Sequence, residues 1–166
     1  MESRGGVRVL GLDPGSRHTG WGVVDCEGTT LRALAWGRLS PRADLALADR
    51  LGEIVAGLEG VMSAHRPSRV AIERVFHGVN TRSLIVLAEA RGALIAAVAR
   101  AGVELIELAP AAVKSAAAGS GRADKAQVAR MVAIQLGIAI ERLPSDTTDA
   151  LAIAIAGSLP RLAGQR

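Results

Sequence analysis

The apolar positions of the chain change their period along its length, and the changes mark out the elements. "VRVLGL", "GWGVVDC" and a run over 31 to 39 are short, β-branched or apolar, and separated by Gly-containing turns. They predict strands near 7–13, 19–26 and 31–39, joined as an antiparallel meander. From about Leu45 to Ala64 the period lengthens, with Leu45, Leu51, Ile54, Val55, Leu58 and Met62 on one side of a helix. "SRVAIERVF" then reads as a fourth strand, and a crossover of this length returns the chain parallel and right-handed, so strand four can lie beside strand one. "NTRSLIVLAEARGALIAAVARAG" predicts a long helix ending at Gly102, and "VELIEL" a fifth strand. After Pro110 come a short helix carrying Lys114, a small-residue loop "AAAGSGRA", a helix from about Asp124 to Leu136, and a last helix from about Ser145. No repeat or composition break divides the chain, and 166 residues suit a single α/β domain over 1–166.

Composition narrows the setting. Almost half of the residues are hydrophobic, yet Arg, Glu or Gly interrupts every window before the roughly 18 apolar residues of a membrane span. The start, "MESRGGVRVLG", has no apolar signal core, and the one cysteine, Cys26, has no internal partner, so a reducing cytoplasm is the expected location. Cys26 itself is expected to be a small buried hydrophobe. Twenty basic against sixteen acidic residues give a net charge of +4, which permits a nucleic-acid partner without requiring one. Only Lys114 and Lys125 are lysines; the other basic residues are arginine. Trp21, Trp36 and Phe76 are the only aromatics, too few for a platform that stacks single strands, so a nucleic-acid partner would be a structured duplex.

Four carboxylates carry the candidate chemistry. In "LGLDPGSRHTGWGVVD", Asp13 sits where a strand meets a Pro-Gly turn; it either caps the turn or joins other acids at a rigid strand tip. Glu73 in "AIERVF" follows a buried run, and is either a surface glutamate or, with strand four parallel to strand one, a neighbour of Asp13. Asp146 and Asp149 in "LPSDTTDALAIAIAGSL" are three apart and share a helix face. They either open the helix as capping acids or, because "ALAIAIA" is apolar nearly all round and must pack on the sheet, reach its rim. Like charges so gathered require a cation, and oxygen ligands suit Mg²⁺ or Mn²⁺. No Cys/His spacing offers a zinc site, and His18, His65 and His77 read as scattered surface or loop residues. Lys114 and Lys125 are either solvated helix charges or partners for phosphate oxygens. Phe76 is either core or, lying three residues past Glu73 and before "HGVN", a side chain projecting from the rim.

"GLDPGSRHTGWGVV", "AIERVF…N…S…L..ARGAL", "P..VK", "G.G.ADKAQV" and "SDTTDALAIAI" occur in this order over nearly the whole chain. Together they resemble the RuvC family of Holliday junction resolvases. The resemblance implies an RNase H-like fold, with a five-stranded mixed sheet of order 3-2-1-4-5 flanked by helices. It also implies a homodimer that resolves four-way DNA junctions by paired nicks during recombination and repair, leaving 5′-phosphate and 3′-hydroxyl ends. Asp13, Glu73, Asp146 and Asp149 would be the catalytic acids and would hold two Mg²⁺ ions, with Mn²⁺ able to substitute. Phe76 matches the aromatic inserted at the junction centre, and Lys114 and Lys125 match basic residues important for cleavage. A branch-migration complex of the RuvA and RuvB type would be a further partner. Three other readings stand beside this one. An actin-like ATPase or sugar kinase would show a second "DxG" hairpin, which the chain lacks. A junction-binding module would lack the acids, and a related nuclease acting on RNA would rest on 2′-hydroxyl contacts that no motif reveals.

Overall fold

The computed structural model of the chain describes residues 6–74 and 80–160, and its elements follow the predicted changes of period. A meander of β1 (Val7–Asp13), β2 (Thr19–Glu27) and β3 (Thr30–Leu39) leads through α1 (Leu47–His65) to β4 (Arg69–Glu73). Then follow α2 (Thr81–Arg100), β5 (Glu104–Leu108), α3 (Pro110–Ala118), α4 (Lys125–Leu136) and α5 (Ser145–Ser158). The five strands form one sheet of order β3-β2-β1-β4-β5. Its first three strands are antiparallel neighbours, while β4 runs parallel to β1 and β5 parallel to β4.

Strand periodicity sorts the side chains onto two covered faces. Leu10, Leu12, Val23, Val70 and Ile72 point to one face, where Ile54, Leu58 and Met62 of α1 and Leu94, Ala97 and Val98 of α2 cover them. Val9, Val24 and Ala71 point to the other, under α3, α4 and α5. Asp13 continues the odd positions of β1, and Glu73 those of β4, so both fall on the α5 face.

Some details depart from the expectation. β4 stops at Glu73, although the Arg74 amide still donates to Leu108 O at 2.7 Å. Cys26 is half-buried near the β2–β3 hairpin rather than in the core, because the strand there has outrun the helices that cover its middle. "AAAGSGRA" is a tight connection: Gly119 takes the left-handed conformation (φ 75°) that ends α3, and Ala123 is buried. The register of β2 and β3 shifts between Val23 and Val24, where Val23 opposes Ala35 and Val24 opposes Ala33, which leaves Leu34 as an extra residue. That bulge reverses the facing of β3, so Leu31 and Ala33 before it and Trp36 after it all pack on the α5 side.

α5 lies unusually close to the sheet. It is buried from Ala150 to Ser158, and glycines lie under it. A Cβ built on Gly11 would stand 2.0 Å from Ala150 O, one on Gly20 2.0 Å from Asp146 O, and one on Gly22 2.6 Å from the Leu151 side chain. Gly11→Ala is therefore expected to cost about 3 kcal/mol, a fall of about 6 to 12 °C in melting temperature. Gly92→Ala, on an exposed turn of α2 with nothing within 4 Å, should instead gain about 0.5 to 1 kcal/mol. Equal effects in a thermal melt would refute the close-contact reading of Gly11.

Candidate active site

Asp13 ends β1 directly opposite Gly20 of β2. The turn that follows does not need the aspartate: the Thr19 hydroxyl donates to Gly15 O at 2.9 Å and accepts from the Gly15 amide at 3.3 Å. Asp13 is thus left to face the α5 side of the sheet. Glu73 ends β4, one strand away on the other side of β1. Its carbonyl accepts from Nε of Arg91 at 3.0 Å, and the Arg91 guanidinium also pairs with Glu107 of β5. Two strand ends and one helix are tied together at that point.

The other two acids arrive on the first turn of α5. No side chain caps this helix at Pro144; a capping box is found instead at α4, between Asp124 and Gln127. Asp146 accepts from the Thr147 amide at 2.8 Å and pairs with Nε of Arg38 at 2.8 Å. Asp149, one turn on, holds Nζ of Lys125 at 2.6 Å. Asp13, Glu73 and Asp149 line a single cleft with Lys114 of α3 and Lys125 of α4, floored by Val113, Val128, Ala152 and Ile153. Asp146 stands beside this cleft, close enough to raise the pKa of Asp13.

The electrostatics are those of crowded acids. Burial, then the charges of Asp149, Glu73 and Asp146, push the Asp13 carboxyl from its ordinary 3.8 up to about 7, against a smaller opposing pull from Lys125. Glu73 is also raised, first by burial and then by Asp149, with Lys114 and Lys125 opposing. Lys125 is raised as well, chiefly by its hydrogen bond to Asp149. Among the described residues no three acids or histidines close into a ready-made metal shell, since Asp146 is turned to Arg38 and Asp149 to Lys125. The donor set itself is nevertheless that of a hard divalent cation: carboxylate oxygens only, the Asp13 carboxyl among them raised to about 7 by burial and by the neighbouring acids.

The model of the family described as crossover junction endodeoxyribonuclease RuvC matches residues 9–157. The chain belongs to the RuvC family. It is 40% identical to the RuvC of Azorhizobium caulinodans over 153 residues, 92% of this chain and 90% of that one. To the RuvC of Caulobacter vibrioides it is 42% identical over 160 residues, 96% and 94% of the two chains. Among solved structures it is similar to Thermus thermophilus RuvC in complex with a Holliday junction substrate, with a TM-score of 0.84, 35% identity, and 90% and 92% of the two chains covered. RuvC-family proteins are nucleases of RNase H-like fold and are generally metal-dependent.

The structure gathers three of the four predicted acids and both lysines in one cleft, with Asp146 beside it, and adds two arginines without a predicted role, Arg38 at Asp146 and Arg91 at the Glu73 carbonyl. Arg91 lies inside the "ARGAL" motif and was visible as a motif residue without a role. Arg38 had no signal, being one arginine among many. His18 is an exposed loop residue bonded to Ser40 at 3.0 Å, whereas His65 ends α1 half-buried with its ring 5.8 Å from that of Trp21. Phe76 and His77 lie outside the described residues.

The Asp13 shift has a consequence for stability in the absence of divalent ions. Its carboxyl titrates near 3.8 when unfolded and at about 7 when folded, so the folded state binds the proton more tightly between those values. The stability contributed by this proton is complete below 3.8 and is lost as pH rises through about 7. In EDTA, the melting temperature of the wild type should fall relative to Asp13→Asn between pH 5 and pH 8, leaving the variant the more stable above about pH 7. Parallel melting curves across that range would show that the site imposes no such strain.

Proposed function

We propose that this chain is a junction resolvase: a metal-dependent endonuclease, active as a homodimer, that cuts four-way DNA junctions by paired nicks in recombination and repair. The observation that carries the reading is the convergence of Asp13, Glu73 and Asp149, with Lys114 and Lys125, in one cleft on the α5 side of the sheet, with Asp146 beside it. Asp13, Glu73, Asp146 and Asp149 would hold two Mg²⁺ ions, which Mn²⁺ could replace. When bound, such ions lower the pKa of an attacking water and neutralise charge on the leaving 3′ oxygen, so the cut leaves a 5′-phosphate.

The residues of the chain do the remainder. Asp13, at the centre, faces the other acids from a strand tip that the Thr19 turn holds rigid. Glu73 is held by the Arg91 contact at its own carbonyl. Lys114 and Lys125 enter the cleft from two helices and would place compact cations beside phosphate oxygens. Release of Asp149 frees the Lys125 ammonium for that task. Phe76, three residues beyond Glu73, would wedge at the crossover, where base pairs are weakest. Two identical sites related by a two-fold axis match the symmetry of the substrate, which is the argument for a homodimer. A branch-migration complex would deliver the junction, and the reading places the protein in the cytoplasm; among the described residues no helix is long and apolar enough to cross a membrane.

A synthetic mobile four-way junction assayed against linear duplex, with and without Mg²⁺, tests the function directly. Cutting should require both the junction and the ion. Single changes Asp13→Asn, Glu73→Gln, Asp146→Asn and Asp149→Asn should abolish cutting while gel-shift affinity survives, because binding rests on phosphate contacts elsewhere. A variant that cuts at the parent rate removes its residue from the site; binding by the wild type without any cutting would favour a junction-binding module.

Phe76→Ala should keep the melting temperature and junction affinity of the parent but cleave a mobile junction much more slowly. A core phenylalanine would instead cost about 3 to 5 kcal/mol on truncation. Thermal melting with single-turnover cleavage separates the two, and a large fall in melting temperature with normal cleavage by the folded fraction would refute the wedge.

A further inference from the structure

Arg38 reaches Asp146 through a specific piece of backbone construction. Asp13, Gly20 and Arg38 occupy one row across three strands, Asp13 opposite Gly20 and Gly20 opposite Arg38. The central position has no side chain, and the first turn of α5 fills it: a Cβ on Gly20 would meet Asp146 O at 2.0 Å and Thr147 N at 2.8 Å. The Thr147 hydroxyl fixes the same turn to β3 by donating to Gly37 O at 3.1 Å. Asp146 is therefore seated between an acid on one side and a cation on the other. Arg38 faces this way only because the Leu34 bulge reverses the facing of β3; without it, Arg38 would point to the α1 and α2 side.

The contact runs through Nε alone, to one carboxylate oxygen at 3.0 Å and to the other at 2.8 Å. It is partly screened, with the arginine side chain 32% and the aspartate side chain 16% exposed. Among the described residues the terminal guanidinium nitrogens of Arg38 have no hydrogen bond. A one-nitrogen pair of this kind is weaker than the two-pronged contact that a guanidinium makes with a phosphate.

We propose that Arg38 is a positioning residue that acts as a removable counter-cation for Asp146, competing with the divalent ion for this carboxylate until DNA is bound. In the protein without DNA, Arg38 neutralises Asp146 and holds it away from Asp13, so the carboxylate set stays incomplete. A strand backbone entering at the rim offers Arg38 a better partner, and Asp146 is released to the cleft. The acid cluster thus becomes complete where a phosphate is present to be cut. The inference rests on the reading of the four acids as metal ligands, and the experiment separates the two.

Mn²⁺ is titrated into DNA-free protein and free ion is followed by electron paramagnetic resonance, for wild type, Arg38→Gln, Asp146→Asn and the double variant, each checked by thermal melting. Arg38→Gln should bind Mn²⁺ about two- to five-fold more tightly than wild type, the scale of a partly exposed ion pair. In the Asp146→Asn background the same change should have no effect, which distinguishes competition at Asp146 from a general loss of positive charge. Arg38→Met, which keeps the apolar stem, should reproduce the tightening if Arg38→Gln proves unstable. Unchanged or weaker binding in both Arg38 variants overturns the proposal, as does a gain that persists in the Asp146→Asn background. If the wild type binds no Mn²⁺ that Asp13→Asn or Asp149→Asn can abolish, the metal-ligand reading falls and the proposal falls with it.

Discussion

Everything at the carboxyl edge of the sheet depends on how closely α5 lies against β1 and β2. Three glycines under the helix, Gly11, Gly20 and Gly22, remove the side chains that would keep the backbones apart. Gly157 does the same from the helix, where a Cβ would stand 2.6 Å from Ala71 and 3.0 Å from Val9. Contact at that distance leaves little freedom in rotation or height, since protein interiors pack near crystal density and do not deform smoothly. The helix is apolar nearly all round because the sheet covers one side while α3 and α4 cover another. Its polar first turn is what remains at the rim, and the position of Asp146 and Asp149 follows from packing far along the helix.

This packing creates an electrostatic conflict that local interactions relieve only in part. Burial, and after it the gathering of acids from β1, β4 and α5 at one cleft, raises Asp13 and Glu73, while Lys125 and Arg38 neutralise the two acids of α5. The cations are more exposed than the acids they hold: the Lys125 side chain is 65% exposed against 30% for Asp149. Pairs of that kind are weak in water and exchange easily. The cluster is thus stable enough to fold and still open to a stronger cation, a state that a fully buried salt bridge would not permit, because breaking one leaves an uncompensated charge.

The sequence made the elements legible because their hydrophobic periods differ. Strand tips at Asp13 and Glu73 could be assigned to one edge because a helical crossover must return the chain parallel. Asp146 and Asp149 could be brought to that edge because an all-apolar helix has to be buried along its length. The pairings inside the site were not legible, for a reason specific to β3: one extra residue, Leu34, reverses which side chains face α5, and nothing in "LRALAWGRL" marks where a bulge falls. The facing of Arg38 follows from that bulge alone. Arg91 was hidden differently, since its contact with Glu73 is to the backbone carbonyl, and a backbone acceptor leaves no trace in the sequence. Cys26 was misjudged because residue type says nothing about how far a strand runs beyond its covering helices.

The supports of the acids differ in kind, and so should their tolerance to change. Asp13 and Glu73 are fixed by sheet register, which is shared with every residue paired along β1, β2, β4 and β5 and cannot slip without turning the core residues to the wrong face. Asp146 and Asp149 are fixed by helix placement, which depends on contacts distributed from Gly20 at one end to Gly157 at the other. A disturbance anywhere along that line displaces the α5 acids relative to the strand acids and leaves the sheet itself unchanged. The relative position of the two pairs, on which any shared ligand would depend, is therefore set by the helix-to-sheet contact rather than by either element alone.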